Sequence, residues 1–120
     1  MKTNIKSVRF TITPEISEYI AKKVSSIEKL VDPGDESVMC NVVLSQTTTH
    51  HKTGDVFEAE FNLHVAGRYL NAAAQKDTPK AALDAAKDEL VREFKAYKGK
   101  KATLVRKIGA KIKRLLKGLS

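Results

Sequence analysis

The sequence predicts an α+β fold, a two-layer sandwich with two helices on one face of a four-stranded sheet, in the order β-α-β-β-β-α. Thr13-Pro14 and Thr78-Pro79 each place a helix N-cap before a proline at the first helical position, and helical apolar spacing follows both. Residues 57–65 alternate between apolar and polar side chains, which is typical of a half-buried strand. A chain of 120 residues, 42% of them apolar, fits one domain.

The first strand and the first helix are predicted near the start of the chain. Val8, Phe10 and Ile12 alternate with polar residues, which indicates a half-buried strand. Apolar residues then recur at helical spacing between positions 16 and 31. This pattern predicts a helix that starts at Thr13 and stops before residues 32–34, which read Asp-Pro-Gly.

Three more strands are predicted between the two helices. Residues 38–45 are apolar and partly β-branched, and a polar loop at 46–55 separates them from the strand at 57–65. Residues 66–68 form a turn into a weaker, alanine-rich strand at 70–74. Because these connections are short, we expect an antiparallel meander, with the first strand parallel to a neighbour through the first helix.

The second helix is predicted from Thr78-Pro79 to Gly99, with its apolar residues on one face. Residues 100–120, called here the cationic tail, project as an amphipathic helix with basic residues opposite a leucine and isoleucine face. We therefore expect a folded domain at 1–99, followed by a basic C-terminal amphipathic helix at 100–120 that can become ordered on binding.

The positive charge of the chain is concentrated in this tail. Residues 1–99 hold 14 Lys/Arg and 14 Asp/Glu, whereas residues 100–120 hold 8 basic residues and no acidic one. The net charge of +8 therefore belongs to the tail. Such a segment attracts phosphate polyanions, either nucleic acid or anionic lipid.

The sequence argues against secretion and membrane insertion. Cys40 is the only cysteine, so an internal disulfide is impossible, and its apolar surroundings predict a buried thiol. The first residues carry no apolar stretch typical of a secretory leader, and the chain has no apolar run of about 18 residues. We expect a cytoplasmic protein.

Catalytic and metal-binding patterns are not found in the sequence. It has no glycine-rich phosphate loop and no nucleophile elbow. His50, His51 and His64 lack the spacing of metal ligands. Glu58 and Glu60 share one face of a strand, where such pairs usually serve solubility or face another molecule. We expect no enzyme activity, metal, cofactor or small-molecule substrate.

Several segments, in this order, resemble the ribosome hibernation-promoting factors, also called ribosome-associated inhibitors or sigma-54 modulation proteins. They are residues 12–16 (ITPEI), 22–23 (KK), 27–30 (IEKL), 54–60 (GDVFEAE), 81–84 (AALD) and 88–98 (DELVREFKAYK). The resemblance covers roughly residues 2–100. It implies a fold related to double-stranded-RNA-binding domains and a protein without catalytic activity.

The resemblance also implies a partner and a mode of action. Family members lodge between the head and body of the small ribosomal subunit, occupy the mRNA and tRNA channel, and block translation under stress. The expected partner is therefore the small subunit with its 16S rRNA, and we expect the protein to act as a monomer.

Basic side chains are the candidate RNA-binding residues, since long cationic side chains contact phosphates. They are Lys22, Lys23, Lys29, Lys80, Lys87, Arg92, Lys95, Lys98, Lys100, Lys101, Arg106, Lys107, Lys111, Lys113, Arg114 and Lys117. Lys23 falls within the apolar stripe of the first helix, so it either snorkels to the edge of the core or is held between the helices. The other basic residues of the helices could instead form a solvated face with ion pairs at i, i+4.

Two other classes of function remain open. A general double-stranded-RNA-binding protein or RNA chaperone would share these electrostatics without a preference for ribosomes. A membrane-surface protein could bind anionic lipid through the cationic tail, although the tail lacks tryptophan and phenylalanine.

Overall fold

A four-stranded mixed sheet carries both helices on one of its faces in the computed structural model. The structure describes the backbone of residues 1–47 and 56–118 and the side chains of residues 1–47 and 56–98. Its elements are β1 (Lys2–Val8), α1 (Pro14–Glu28), β2 (Met39–Thr47), β3 (Val56–Val65), β4 (Arg68–Lys76) and α2 (Pro79–Gly118). The predicted fold class and element order are confirmed.

The strands lie in the order β1-β2-β3-β4. β1 is parallel to β2, and the two following pairs are antiparallel, as predicted. Ala66 and Gly67 form the two-residue turn between β3 and β4, with φ angles of 52° and 74°. Positive φ at both central residues is the type I′ geometry, whose twist matches that of the flanking strands.

Both helices begin at the predicted threonine caps. The Oγ1 atom of Thr13 accepts a hydrogen bond from the Ile16 amide at 3.3 Å, and that of Thr78 accepts one from the Ala81 amide at 3.2 Å. Each cap satisfies an amide that would otherwise lack a partner in the first turn.

The core lies between the helices and the facing side of the sheet. Its largest fully buried side chains are Phe61, Ile20, Ile27, Leu44, Leu63, Leu83 and Leu90. Cys40 is part of this core and has no solvent exposure, and burial raises the pKa of its thiol to about 11. The expectation of a buried cysteine is confirmed.

The first strand differs from its prediction in position and in burial. β1 ends at Val8, and all seven of its residues are exposed. Arg9 adopts φ = 55°, a left-handed conformation that interrupts an extended chain. Phe10 and Ile12 therefore lie outside the strand, where they pack against the core from the connection to α1.

The ends of two further elements were also placed wrongly. α1 ends at Glu28, and the amides of Leu30 and Val31 bond to carbonyls three residues earlier, so the apolar pattern continues through turns. β2 extends to Thr47, into the predicted loop, and residues 48–55 lie outside the described residues.

The second helix does not end at Gly99. α2 is one helix of 40 residues to Gly118. A glycine within a helix costs only about 1 kcal/mol, and the flanking alanines and lysines favour helix. The division into a domain and a cationic tail remains a prediction. In the part of the chain that the structure describes, no helix is long and apolar enough to cross a membrane.

Candidate nucleic-acid interface

One flank of α2 faces α1 and carries a line of lysines. Lys80, Lys87, Lys95 and Lys98 follow one another at helical spacing, with Asp84 between the first two. Contacts of Lys80 and Asp84 with α1 show that this flank faces the other helix. Its four lysines and one aspartate give this flank of α2 a positive charge.

A cluster of polar side chains joins the two helices at the start of this groove. The Tyr19 hydroxyl donates a hydrogen bond to Asp84 at 2.5 Å, and the Lys23 ammonium lies 2.6 Å from the same carboxylate. Lys80 forms an ion pair with Glu15. The two ammonium groups lie 4.8 and 5.4 Å from the centroid of the Tyr19 ring. We call these five residues the interhelical cluster.

The contacts within the interhelical cluster shift the pKa values of all five residues, and three of these shifts arise around Asp84. Burial disfavours ionisation of Asp84, but the hydrogen bonds from Lys23 and Tyr19 outweigh it and hold the Asp84 pKa below its usual value. The hydrogen bond to Asp84 raises the pKa of Tyr19 and that of Lys23. At neutral pH the cluster therefore holds an ionised Asp84, a neutral Tyr19 and a charged Lys23.

The structure holds Lys23 between the helices, which was one of its two predicted placements. Its side chain is 23% exposed, and its ammonium faces Asp84 and the Tyr19 ring. Much of its charge is thus balanced by an internal carboxylate. Its contact with RNA stays a prediction.

The other candidate lysines and arginine of the helices are placed differently. Five of them are exposed, and none of the five lies within 4 Å of a carboxylate among the described side chains. They are Lys22, Lys29, Arg92, Lys95 and Lys98. Lys87 is half-buried, 3.6 Å from Asp88. The ion pairs of the described residues are therefore not the predicted i, i+4 pairs. Arg92 lies about 60° around α2 from Lys95, on the outward face.

Other predicted residues have no described side chains. They are Lys100, Lys101, Arg106, Lys107, Lys111, Lys113, Arg114 and Lys117, on the part of α2 for which only the backbone is described. His50 and His51 lie outside the described residues altogether. Among the described residues, no three potential ligands of the types His, Cys, Asp and Glu come together to hold a metal ion.

Sequence reasoning missed the parts that Glu15 and Tyr19 play in the interhelical cluster. Their spacing with Lys23, four residues at a time along α1, was the available signal. Their partners lie 65 residues away on α2, so the pairing depends on how the helices pack.

Comparison with known proteins decides the family. Residues 3–102 match the family described as sigma 54 modulation protein / S30EA ribosomal protein. The chain belongs to this family. Its members are ribosome-associated factors without a known catalytic role, and the resemblance found in the sequence is thereby confirmed.

Individual relatives agree with this membership in the sigma 54 modulation protein family. The chain is 28% identical over 100 residues to a ribosome hibernation promoting factor of Klebsiella oxytoca, covering 83% of this chain and 96% of that protein. The crystal structure of the Thermus thermophilus Protein Y N-terminal domain superposes with a TM-score of 0.66 at 23% identity, covering 81% of this chain and 99% of that one.

A ribosomal subunit interface protein from Coxiella burnetii has the same fold, with a TM-score of 0.64 at 18% identity. The superposition covers 82% of this chain and 99% of that chain. At these identities the two solved structures support the fold alone.

Proposed function

We propose that this protein is a ribosome hibernation factor that binds the small ribosomal subunit and inhibits translation under stress. It would act in the cytoplasm by occupying the mRNA and tRNA channel and contacting 16S rRNA. The observation that carries the proposal is the family match over residues 3–102. The relative named for ribosome hibernation supports it over almost its full length.

The groove between the helices supplies a physical basis for RNA contact. Lys95 and Lys98 extend the lysine line of α2 beyond the interhelical cluster, and both are exposed. Lys22 and Lys29 are exposed on or just after α1. Cations without an internal partner are free to neutralise phosphates and release counterions, which makes binding depend on salt. We therefore assign the first phosphate contacts to these four lysines.

Lys23 and Lys80 have a different part in this proposal. Both form ion pairs across the helices, so their main effect is to fix the spacing of the groove. Surface ion pairs of this kind contribute little stability, because solvent screens the attraction between their charges. Lys87 and Arg92 are secondary contacts, and the basic residues of the cationic tail add a longer-range attraction.

Co-sedimentation with separated ribosomal subunits tests the proposal directly. We expect the full chain to migrate with the small subunit in sucrose gradients at low and moderate salt, and to reduce synthesis in a cell-free translation assay. Absence from ribosomal fractions at both salt concentrations would refute the proposal. Equal affinity for arbitrary duplex RNA would favour a general RNA binder, and flotation with anionic liposomes despite ribosome competition would favour a membrane-surface protein.

A pair of variants tests the assignment of the groove. Lys95→Ala combined with Lys98→Ala should weaken small-subunit binding and lower the slope of log affinity against log salt by about 0.7–0.9 for each lost phosphate contact. Lys76→Ala is the control for loss of charge, because Lys76 is exposed at the end of β4 and lies outside both the lysine line of α2 and the open face of the sheet. If it had the same effect as the double variant, the assignment would be wrong.

Deletion of residues 101–120 tests the cationic tail. It removes 7 of the 8 basic residues of the tail and leaves the core intact, since the last buried core residue is Phe94. We expect weaker ribosome binding and a flatter salt dependence. An unchanged salt slope would contradict a role for the tail in phosphate contact.

A further inference from the structure

Four asparagines form a row across the face of the sheet that the helices leave open. Asn4, Asn41, Asn62 and Asn71 come one from each strand and are register partners of one another. The Asn4 amide donates a hydrogen bond to the Asn41 side-chain oxygen at 3.1 Å, and the Asn71 amide donates one to that of Asn62. This asparagine row is a line of amide groups at the solvent surface.

Some donor and acceptor atoms of the asparagine row are available for further hydrogen bonds. Within the described residues, the Asn41 amide nitrogen and the side-chain oxygens of Asn4 and Asn71 have no protein partner. A planar amide offers a donor and an acceptor side by side, the arrangement that pairs with the edge of a nucleobase.

A flat aromatic surface lies directly beside the asparagine row. The neighbouring register row consists of Lys2, Met39, His64 and Tyr69. The rings of His64 and Tyr69 are stacked, with centroids 4.4 Å apart and planes inclined by 12°. Tyr69 is 78% exposed, so one face of its ring rests on His64 and the other is open to solvent.

The charge of these two rows favours an anionic partner. Their eight residues include one cation, Lys2, and no carboxylate. Among the described residues, the carboxylates of the open face are Glu58 and Glu60, on the side of the asparagine row away from Lys2. Glu60 accepts a hydrogen bond from the side-chain amide of Asn62 in the row, and Glu58 accepts one from that of Gln75. A polyanion with flat, hydrogen-bonding rings fits a surface with a free aromatic face, unused amides and a lysine at one end.

We propose that the open face of the sheet binds a short segment of single-stranded RNA. One base stacks on Tyr69, the asparagine row bonds the edges of bases, and a phosphate lies near Lys2. A duplex does not fit, because its bases are already stacked and paired, whereas unpaired bases can be splayed onto a protein surface. The site lies opposite the helices, so it is a second RNA contact beyond the function proposed above.

Binding of short labelled oligonucleotides to the full chain tests this site. The probes are fluorescein-labelled hexauridylate, hexaadenylate and a 12-base-pair RNA duplex, measured by fluorescence anisotropy at two salt concentrations. Tyr69→Ala should weaken single-strand binding about fivefold or more, because base stacking on an aromatic ring contributes that much per base. The factor should be the same at both salts, since stacking releases no counterions. Tyr69→Phe keeps the ring and should bind almost as the unmodified chain does.

Two further variants complete the test. Asn71→Ala should weaken single-strand binding without affecting the duplex, which the cationic tail can still attract. Gln75→Ala is the matched control, since Gln75 is exposed on the same strand and face but lies outside the two rows. Circular dichroism checks that each variant folds.

The possible outcomes separate the two proposals. Unchanged single-strand affinity in Tyr69→Ala and Asn71→Ala would overturn the site, as would an equal loss for single strand and duplex. If these variants reduced ribosome co-sedimentation but not oligonucleotide binding, a protein partner would occupy the face, and the RNA assignment would be wrong. Failure of the unmodified chain to bind ribosomes would refute the proposed function while leaving the oligonucleotide result valid.

Discussion

Removal of one hydroxyl group from the interhelical cluster should destabilise the protein in a way that depends on pH. Tyr19→Phe keeps the ring between Lys23 and Lys80 but removes the hydrogen bond to Asp84. A hydrogen bond to a charged acceptor contributes about 1.5–3 kcal/mol when it is buried. The Asp84 side chain is 45% exposed, so solvent screening reduces the expected loss to about 1 kcal/mol.

The pH dependence follows from the directions of the pKa shifts. Because the Asp84 pKa is lowered in the folded protein, its contribution is present above the unfolded value of 3.8 and is lost as the pH falls through the folded value. The Tyr19 pKa is raised, so its contribution is present below the unfolded value of 10.0 and is lost as the pH rises through the folded value. The difference between Tyr19→Phe and the unmodified chain should therefore be constant from about pH 5 to 9 and shrink at both extremes.

Urea unfolding followed by far-ultraviolet circular dichroism measures this difference. For a slope of about 1.5 kcal/mol per molar urea, a loss of 1 kcal/mol lowers the midpoint by about 0.7 M at pH 7. Tyr97→Phe is the control, because the Tyr97 hydroxyl has no hydrogen-bond partner among the described residues, although Arg68 lies over its ring. A midpoint shift no larger than that of the control, or one that stays constant down to pH 3, would refute the reasoning.

Two further predictions concern the turn and the cysteine. Ala66 has φ = 52°, which asparagine tolerates better than alanine, so Ala66→Asn should raise the melting temperature by a few degrees in calorimetry. Gly67→Ala should lower the melting temperature, and a higher melting temperature in that variant would contradict the type I′ assignment. Cys40 should resist a disulfide reagent at pH 8 in the folded protein and react at the rate of unfolding, because its pKa is about 11 and its side chain is fully buried; rapid labelling without urea would disprove this.

The success of the sequence analysis depended on how local each signal was. Thr13 and Thr78 cap their helices through bonds to amides three residues away, so a short window contains the whole interaction. The strand at Val56–Val65 could be predicted because alternation follows directly from having one buried face. By contrast, nothing in the alternation around Val8 reveals that Arg9 turns the chain into a left-handed conformation.

The interhelical cluster and the asparagine row could not be predicted from short sequence windows. Tyr19 and Asp84 are 65 residues apart, and only the packing of α1 beside α2 makes them partners. The asparagine row requires the register of all three strand pairs, and a shift of one residue in any of them would break the row. Long-range register is set by the hydrophobic pattern of the whole sheet, so a strand-by-strand analysis finds four ordinary polar residues.

The charge of the domain shows why placement matters more than totals for RNA binding. Residues 1–99 are neutral by count, yet the flank of α2 that faces α1 carries four lysines and one aspartate. That aspartate, Asp84, contacts Lys23 and Tyr19, so it neutralises a cation within the groove. Neither Lys95 nor Lys98 has an ion-pair partner among the side chains that the structure describes. Asp84→Asn should therefore release the charge of Lys23 and steepen the salt dependence of ribosome binding while lowering stability. This one substitution should strengthen the salt dependence of binding and lower the stability of the protein. Measuring both on the same variant therefore distinguishes a residue that organises the groove from one that contacts RNA.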